Sequence, residues 1–268
     1  MICTFLCAPF FIRAQEASKA DSLFAVGEYL PARVAYERLL FNGHSASHLL
    51  ILKKSYCLKA EGNYEDAYNT LQRADFFVGD DSLKFKLYYE SILNAFLAGK
   101  HDLALNKIQE LHYYLPGITQ PALDLLEILT LNQLRKFEQA EEKYKSFVAV
   151  HNLRDDSNPY QKKNLKMKNP DRAESISHLL PGVGQMYAGY VGRGMTSLLI
   201  QSGLVAFGIY SFVNGYYFSG AFTGVGLFYI FNNGGARHAY YLAEKRNKAL
   251  ITRIDTEVKG VLLKEIKK

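Results

Sequence analysis

Residues 62–74 read GNYEDAYNTLQRA, and the same order of glycine, aromatic and alanine positions recurs in three other segments of the first 150 residues. The other segments, which align without gaps, are GEYLPARVAYERL (27–39), GKHDLALNKIQEL (99–111) and RKFEQAEEKYKSF (135–147). Their starts are 35, 37 and 36 residues apart. A fixed period of this length is typical of chains that stack one helical hairpin on the next.

Each segment is predicted to supply the turn and the second helix of a hairpin. The first residue makes the turn, and the aromatic residue two positions later begins the helix, with His101 as the exception. The alanine lets this helix approach its partner closely, and the large residue four positions further continues the buried face. The predicted packing residues are Gly27, Tyr29, Ala32, Tyr36, Gly62, Tyr64, Ala67, Leu71, Gly99, Ala104, Ile108, Phe137, Ala140 and Tyr144.

These four segments resemble the tetratricopeptide repeat, over about residues 17–150. The resemblance implies a superhelix of stacked hairpins whose concave surface binds peptides or protein partners. A rigid spacer that binds nothing is the alternative. We expect no catalytic, cofactor or metal site in the repeats. His44 and His48 would share a helical face, but the sequence offers no third metal ligand beside them. Cys57 is predicted to be a small buried apolar residue.

The charge divides the chain into two different halves. Residues 1–157 contain 17 Lys and Arg against 20 Asp and Glu, whereas residues 158–268 contain 15 against 6. Within the basic half, 43 consecutive residues from Gly194 to Ala236 carry no charged side chain. Since a membrane-spanning helix needs about 20 mostly apolar residues, this run predicts two spans, about Met195–Val213 and about Ser219–Ile230. The basic segment before it then fits an anionic membrane surface better than nucleic acid.

Residues 178–194, HLLPGVGQMYAGYVGRG, precede the first span. The glycine spacing misses the dinucleotide-binding pattern at Tyr187, and GRGMTS lacks the Lys of a phosphate-binding loop. We instead predict a broken helix that leads into a membrane hairpin. PGVGQMYAG resembles the small P-G-x-G-Q-x-Y-x-G membrane domain of bacterial proteins of unknown function, over about residues 175–245, which implies membrane residence and no particular activity.

The predicted motif residues of this domain combine helix-packing glycines with two polar side chains. Gln185 and Tyr187 are expected to hydrogen-bond the interrupted backbone near Pro181, although contact with a ligand is an open alternative. Gly220 and Gly224 are a G-x-x-x-G pair that allows close helix packing in lipid. The full set is Pro181, Gly182, Gly184, Gln185, Tyr187, Gly189, Gly194, Gly220 and Gly224.

The two ends of the chain give conflicting indications of topology. Residues 1–15 look like a signal peptide, which would place the repeats in the periplasm. Both flanks of the predicted hairpin are basic, however, which favours the cytoplasm. Between these two indications we favour export.

The tail, 244–268, has apolar residues at helical spacing and predicts an amphipathic helix that lies on the membrane or folds back on the repeats.

The sequence therefore predicts an all-α protein with a tetratricopeptide-like solenoid (16–157), a basic linker (158–174), a glycine-rich transmembrane hairpin (175–243) and an amphipathic C-terminal helix (244–268). The predicted function is a non-enzymatic adaptor, anchored in a bacterial inner membrane, that binds a protein partner and membrane lipid, with no nucleic acid, cofactor or small-molecule substrate. The alternative is a membrane-active module for transport, lipid handling or insertion, with the repeats as its regulatory domain.

The topology can be tested with a reporter enzyme that is active only in the periplasm, fused after residue 157. Export predicts reporter activity, because a cleaved signal peptide would carry the repeats across the inner membrane. An inactive but stably produced fusion would contradict export and would support cytoplasmic flanks, as the positive-inside rule requires.

Overall fold

The computed structural model describes residues 8–43, 47–77, 79–118, 120–153, 158–161 and 165–266. The regular structure within these ranges is entirely helical, which confirms the predicted all-α class. The chain divides into two compact units, one of Met1–Arg154 with Leu262–Lys268 and one of Asp155–Val261.

The described part of the first unit contains four helical hairpins. Every helix packs on the next one along the chain, and the first helices of successive hairpins also touch at two places, α3 with α5 and α5 with α7. The helices are α1 (Ala8–Ala25), α2 (Tyr29–Phe41), α3 (Ser47–Ala60), α4 (Tyr64–Leu71), α5 (Asp81–Leu97), α6 (His101–Tyr114), α7 (Pro121–Gln133) and α8 (Phe137–Val150). Residues 1–7 of the predicted signal peptide lie outside the described residues, and residues 8–15 form the start of α1.

The first residue of each aligned segment has a left-handed backbone. Its φ angle is +85° at Gly27, +79° at Gly62, +73° at Gly99 and +59° at Arg135. The residue that follows has nearly the same conformation in all four hairpins, with φ between −81° and −89° and ψ between 59° and 67°. Glycine adopts the left-handed region without a steric penalty, so the sequence period corresponds to a repeated turn geometry.

The alanine and the large residue of each segment lie in the interior of the hairpins. Ala32, Ala67, Ala104 and Ala140 have no exposed surface, and the residues four positions further, Tyr36, Leu71, Ile108 and Tyr144, are at most 1 % exposed. The aromatic residues that begin α2, α4 and α8 are partly buried. Because alanine has no side chain beyond Cβ, the paired helices can approach closely at this position.

The second unit holds a broken helix followed by longer helices. Its elements are α9 (Pro170–Leu179), α10 (Val183–Tyr187), α11 (Val191–Val213), α12 (Tyr217–Ser219), a π-helical segment (Gly220–Gly226) and α13 (Leu227–Ile266) as far as Val261, since the residues from Leu262 belong to the first unit. The interruption between α9 and α10 falls at Leu180–Gly182, where Gly182 has a φ of +85°.

Helix α9 begins at Pro170, inside the predicted linker of residues 158–174. The side chain of Asn169 caps α9 by accepting a hydrogen bond from the Arg172 N–H at 3.0 Å. Ser175 lies inside the helix and donates its hydroxyl to the Asp171 carbonyl. Pro170 suits the first helical position because its missing N–H has no partner to lose there. Residues 170–174 of the predicted linker are therefore helical.

Among the described helices, only α11 is long and apolar enough to span a membrane. After the turn at Asn214–Tyr216, the apolar residues of the predicted second span are divided among α12, the π-helical segment and the start of α13. Helix α13 continues without interruption into the predicted C-terminal helix. Ile251, Ile254 and Val258 of this helix are buried.

The repeated turn predicts that Gly99→Ala weakens the third hairpin by about 1 kcal/mol, because an L side chain is strained in the left-handed region. Hydrogen exchange of α6 amides in the full-length protein measures the loss. The matched control is Gly260→Ala in α13, where the glycine lacks a positive φ and open space surrounds the added methyl group. There alanine should raise helix stability by up to about 1 kcal/mol. Equal effects of the two changes would contradict the role of the turn.

Candidate functional site

Ion pairs connect the first helices of successive hairpins in the first unit. Lys53 of α3 donates to the Asp21 carboxylate of α1 at 2.7 Å, and Lys59 of α3 donates to Glu90 of α5 at 2.6 Å. Tyr36 donates its hydroxyl to the same Asp21 carboxylate at 2.6 Å. Burial would raise the pKa of Asp21, but the hydrogen bonds and the charge of Lys53 lower it below the ordinary value. These contacts join the first helices of the first three hairpins.

A buried carboxylate lies between α6, α7 and α8. Glu127 is 6 % exposed, and its oxygens lie 3.1 Å from His112 Nε2 and 3.0 Å from Lys143 Nζ. Burial would raise the pKa of Glu127, but the hydrogen bonds from His112 and Lys143 outweigh it and hold the pKa below its ordinary value. His112 and Lys143 therefore form a hydrogen-bond network with this carboxylate.

The described residues provide no metal centre and no activated thiol. They contain no group of three His, Cys, Asp or Glu side chains arranged to hold a metal ion, and His44 lies outside the described residues. Cys57 is buried and free, and burial raises its pKa to about 11. Its thiol is therefore protonated at neutral pH, as expected for a structural cysteine.

Three aromatic side chains form an exposed cluster on the first unit. Phe77 is 64 % exposed, Tyr113 is 78 % exposed and Tyr114 is 47 % exposed. The Tyr114 ring meets Phe77 edge-on at 5.0 Å and Tyr113 edge-on at 4.9 Å between centroids. We call these three residues the aromatic cluster. Sequence reasoning missed it, because the FF and YY pairs give no sign of which ring faces solvent.

Helix α11 has an inverted pattern of burial compared with a helix in water. Its buried residues are small or polar, namely Gly194, Gln201, Gly208 and Ser211. Its apolar side chains are mostly exposed, and only 17 % of its most apolar 18-residue window is buried. Helices packed within lipid have this arrangement, since apolar side chains gain nothing by leaving the hydrocarbon while small residues permit close contact.

Glycines bring α11 into backbone contact with the π-helical segment. A Cβ atom on Gly224 would lie 2.5 Å from the Cα atom of Gly208. A Cβ atom on Gly220 would lie 3.0 Å from the Phe212 ring. Any side chain at Gly224 would therefore force the two helices apart. Both members of the predicted G-x-x-x-G pair are buried against α11.

The glycines of the P-G-x-G-Q-x-Y-x-G motif likewise stand where a side chain does not fit. A Cβ on Gly182 would collide with the Gly194 carbonyl, and one on Gly184 would collide with the Ala173 carbonyl. One on Gly189 would collide with the guanidinium of Arg246, which donates to the Ala188 carbonyl at 3.2 Å. Pro181 precedes the left-handed Gly182 at the helix break.

The two polar side chains of the motif have other partners than those predicted. Gln185 was expected to bond the interrupted backbone near Pro181, but its Nε2 donates to the Gly235 carbonyl of α13 at 3.3 Å. The Tyr187 hydroxyl accepts the Asn169 N–H at 3.2 Å, in front of α9. No local sequence pattern places α13 against α10, because 50 residues separate Gln185 from Gly235.

Asn247 fixes α13 to the segment before α9. Its side chain accepts the Lys168 N–H at 2.9 Å and donates to the Lys168 carbonyl at 2.7 Å. A cluster of buried alanines and Leu242 packs α13 against α9 and the end of α10. This support holds α13 in place beside α11.

A groove with a volume of about 820 Å³ runs along α11 and α13. Arg193 and His238 line one part of it, and Ile200, Ile230 and Phe231 line another. Between these two parts lie Thr196 and Ser197 of α11, Gly235 of α13 and Gln185 of α10. Gln185 is 3 % exposed, and its Oε1 atom has no hydrogen-bond partner among the described residues. We call this feature the polar-to-apolar groove.

Comparisons with models of protein families, with curated proteins and with solved structures gave no match. The tetratricopeptide and membrane-domain resemblances therefore depend on the residue pattern alone.

The Glu127 network predicts a pH-dependent stability. Glu127→Gln should lower the local stability of α7 at pH 7 by about 1–3 kcal/mol, because His112 and Lys143 lose a charged acceptor. A depressed pKa stabilises the fold above the ordinary pKa of 4.5, and this contribution is lost as the pH falls through the folded-state value. Hydrogen exchange of α7 amides, corrected for intrinsic rates, measures the free energy of local opening. This free energy should become the same for the variant and the parent in acid.

The control for this experiment is Glu142→Gln, which neutralises an exposed carboxylate of α8. It should change the stability by less than about 0.5 kcal/mol at either pH. A Glu127→Gln effect that persists unchanged below the folded-state pKa would show that lost packing, rather than charge, is responsible.

Proposed function

We propose that this protein is a non-enzymatic adaptor, anchored in a bacterial inner membrane, whose helical repeats hold a protein partner near the bilayer. The observation that carries the proposal is the aromatic cluster of Phe77, Tyr113 and Tyr114. Exposed aromatic residues that contact one another are enriched at the centres of protein interfaces, because they offer large apolar area at a low entropy cost.

The repeat part of the proposal is a tetratricopeptide-like solenoid. It is supported by the four left-handed turns in the same position of each segment and by the fully buried alanines five residues further. Arrays of stacked hairpins bind partners along extended surfaces. The ion pairs between α1, α3 and α5 would keep such a surface rigid, which lowers the cost of ordering it on binding.

The anchoring part of the proposal is a glycine-rich membrane hairpin formed by α11 and the apolar segment that follows it. It is supported by the length of α11 and by its apolar exposed face. It is also supported by the backbone contact of Gly208 with Gly224. The aromatic side chains Tyr216, Tyr217 and Phe218 at the turn are exposed, as is common at a membrane interface. The signal-like N-terminus favours a periplasmic position for the repeats.

A second candidate is a membrane-active module, in which the glycine-rich half handles lipid, transports a solute or assists insertion. The observation that favours it is the polar-to-apolar groove with its buried Gln185. An uncharged polar side chain inside a membrane domain is costly and often has a functional role. In this case the repeats would regulate the module.

The adaptor function predicts a partner whose binding depends on the aromatic cluster. The full-length protein is crosslinked in its own cells, extracted in mild detergent and compared with the double variant Phe77→Ser/Tyr113→Ser. Recovery of the partner should fall at least about tenfold, since central aromatic contacts each contribute about 2 kcal/mol or more.

The matched control is Phe41→Ser/Val26→Ser, which removes two exposed apolar side chains of the first hairpin outside the aromatic cluster. This control should leave the recovery of the partner unchanged. Equal recovery with all three proteins, or recovery no greater than with an unrelated membrane protein, would contradict the adaptor function.

A further inference from the structure

We infer that the polar-to-apolar groove is a binding site for one phospholipid molecule, with the phosphate at Arg193 and an acyl chain along Ile200 and Ile230. A hydrogen-bond donor of the head group would reach Gln185. The inference rests on the membrane position of the second unit in the proposed function, but it adds a specific ligand and the residues that recognise it.

The order of residues along the groove matches the order of groups in a lipid. Along α11 the lining changes from Arg193 through Thr196 and Ser197 to Ile200. Along α13 it changes in the same direction from His238 through Gly235 to Ile230. A phospholipid likewise has charge at one end, ester and hydroxyl groups next to it, and a hydrocarbon chain beyond. Arg193 lies in the first turn of the candidate membrane span, where head groups are located.

Arg193 has an unmatched positive charge. Its guanidinium faces the Tyr190 ring at 5.7 Å and lies 3.3 Å from His238 Nε2, and no carboxylate of the described residues pairs with it. No Asp or Glu occurs from Gly194 to Ala236. The N–H groups of the first turn of α11 add a positive potential at the same end. A guanidinium can bind a phosphate through two parallel hydrogen bonds.

Gln185 provides the second, independent observation. Its Nε2 donates to the Gly235 carbonyl, which fixes the orientation of the amide, because the flipped amide would place two oxygens against each other. Its Oε1 is then a buried acceptor without a partner in the described residues. Buried acceptors are costly when unsatisfied, and a head-group hydroxyl or ammonium would satisfy this one.

The apolar part of the groove distinguishes a lipid from a small phosphate compound. Ile200, Ile230 and Phe231 are all exposed on this side of the molecule, and a free phosphate ester would leave them uncovered. An acyl chain would cover them and would gain dispersion contacts with their side chains. We therefore assign the groove to a membrane lipid, with phosphatidylglycerol as the probe because it has both an anionic phosphate and hydroxyl donors.

The test is native mass spectrometry of the full-length protein in detergent micelles, titrated with phosphatidylglycerol. We expect one molecule to bind more tightly than the next, and phosphatidylcholine, whose head group has no donor, to bind more weakly. Arg193→Gln should weaken the first binding step about tenfold or more, as expected for a lost charge-assisted hydrogen bond. Arg193 is exposed, so that this variant leaves the core unchanged.

The matched control is Arg237→Gln, which removes an exposed positive charge of α13 outside the groove. It should leave the first binding step unchanged. If both variants weaken the first binding step equally, surface charge in general is responsible and the proposed site is wrong. If Arg193→Gln leaves the first binding step unchanged, the proposed site is also wrong. Displacement of the lipid by an equimolar amount of glycerol 3-phosphate would assign the site to a free phosphate compound and would also overturn it.

Cell fractionation separates this inference from the proposed function. Absence of the full-length protein from the membrane fraction would contradict membrane anchoring. A membrane-bound protein that shows equal lipid binding before and after Arg193→Gln would contradict the lipid site alone.

Discussion

Close approach between helices, made possible by residues with little or no side chain, is the constraint on which both halves of this protein depend. In the hairpins of the first unit, Ala32 and its three equivalents have no exposed surface. In the second unit, Gly208 and Gly224 bring two backbones into direct contact. A larger side chain at any of these positions would separate the helices and lose the dispersion contacts of the whole interface.

Helix α11 buries the opposite kind of side chain from the first unit. The first unit places large apolar residues such as Tyr36 and Ile108 inside and uses ion pairs at its surface, as the hydrophobic effect in water requires. In the second unit, α11 buries Gln201 and Ser211 and exposes apolar residues. This arrangement is stable where the solvent is itself apolar, because helix association then depends on close packing and hydrogen bonds.

The candidate functional positions are those at which the burial, exposure or pairing of a side chain departs from what is usual for its residue type. Within the described residues, the Oε1 atom of the buried Gln185 has no hydrogen-bond partner, and Arg193 has no acidic partner. The aromatic cluster exposes three large rings that contact one another. Departures of this kind are expected where binding, rather than stability, determines the residue. Arg135 departs from the rule as well, but it occupies a turn position that glycine holds in the other three hairpins.

The sequence by itself determined the helical class, the positions of the four hairpin turns and the helix break at Pro181–Gly182, because these follow from local backbone preferences and short-range periodicity. Only the tertiary structure decided the partner of Gln185 and the contact between Gly208 and Gly224. It also decided which rings of the FF and YY pairs are exposed. These features depend on side chains that are distant in sequence and meet only when the helices pack, so no local pattern encodes them.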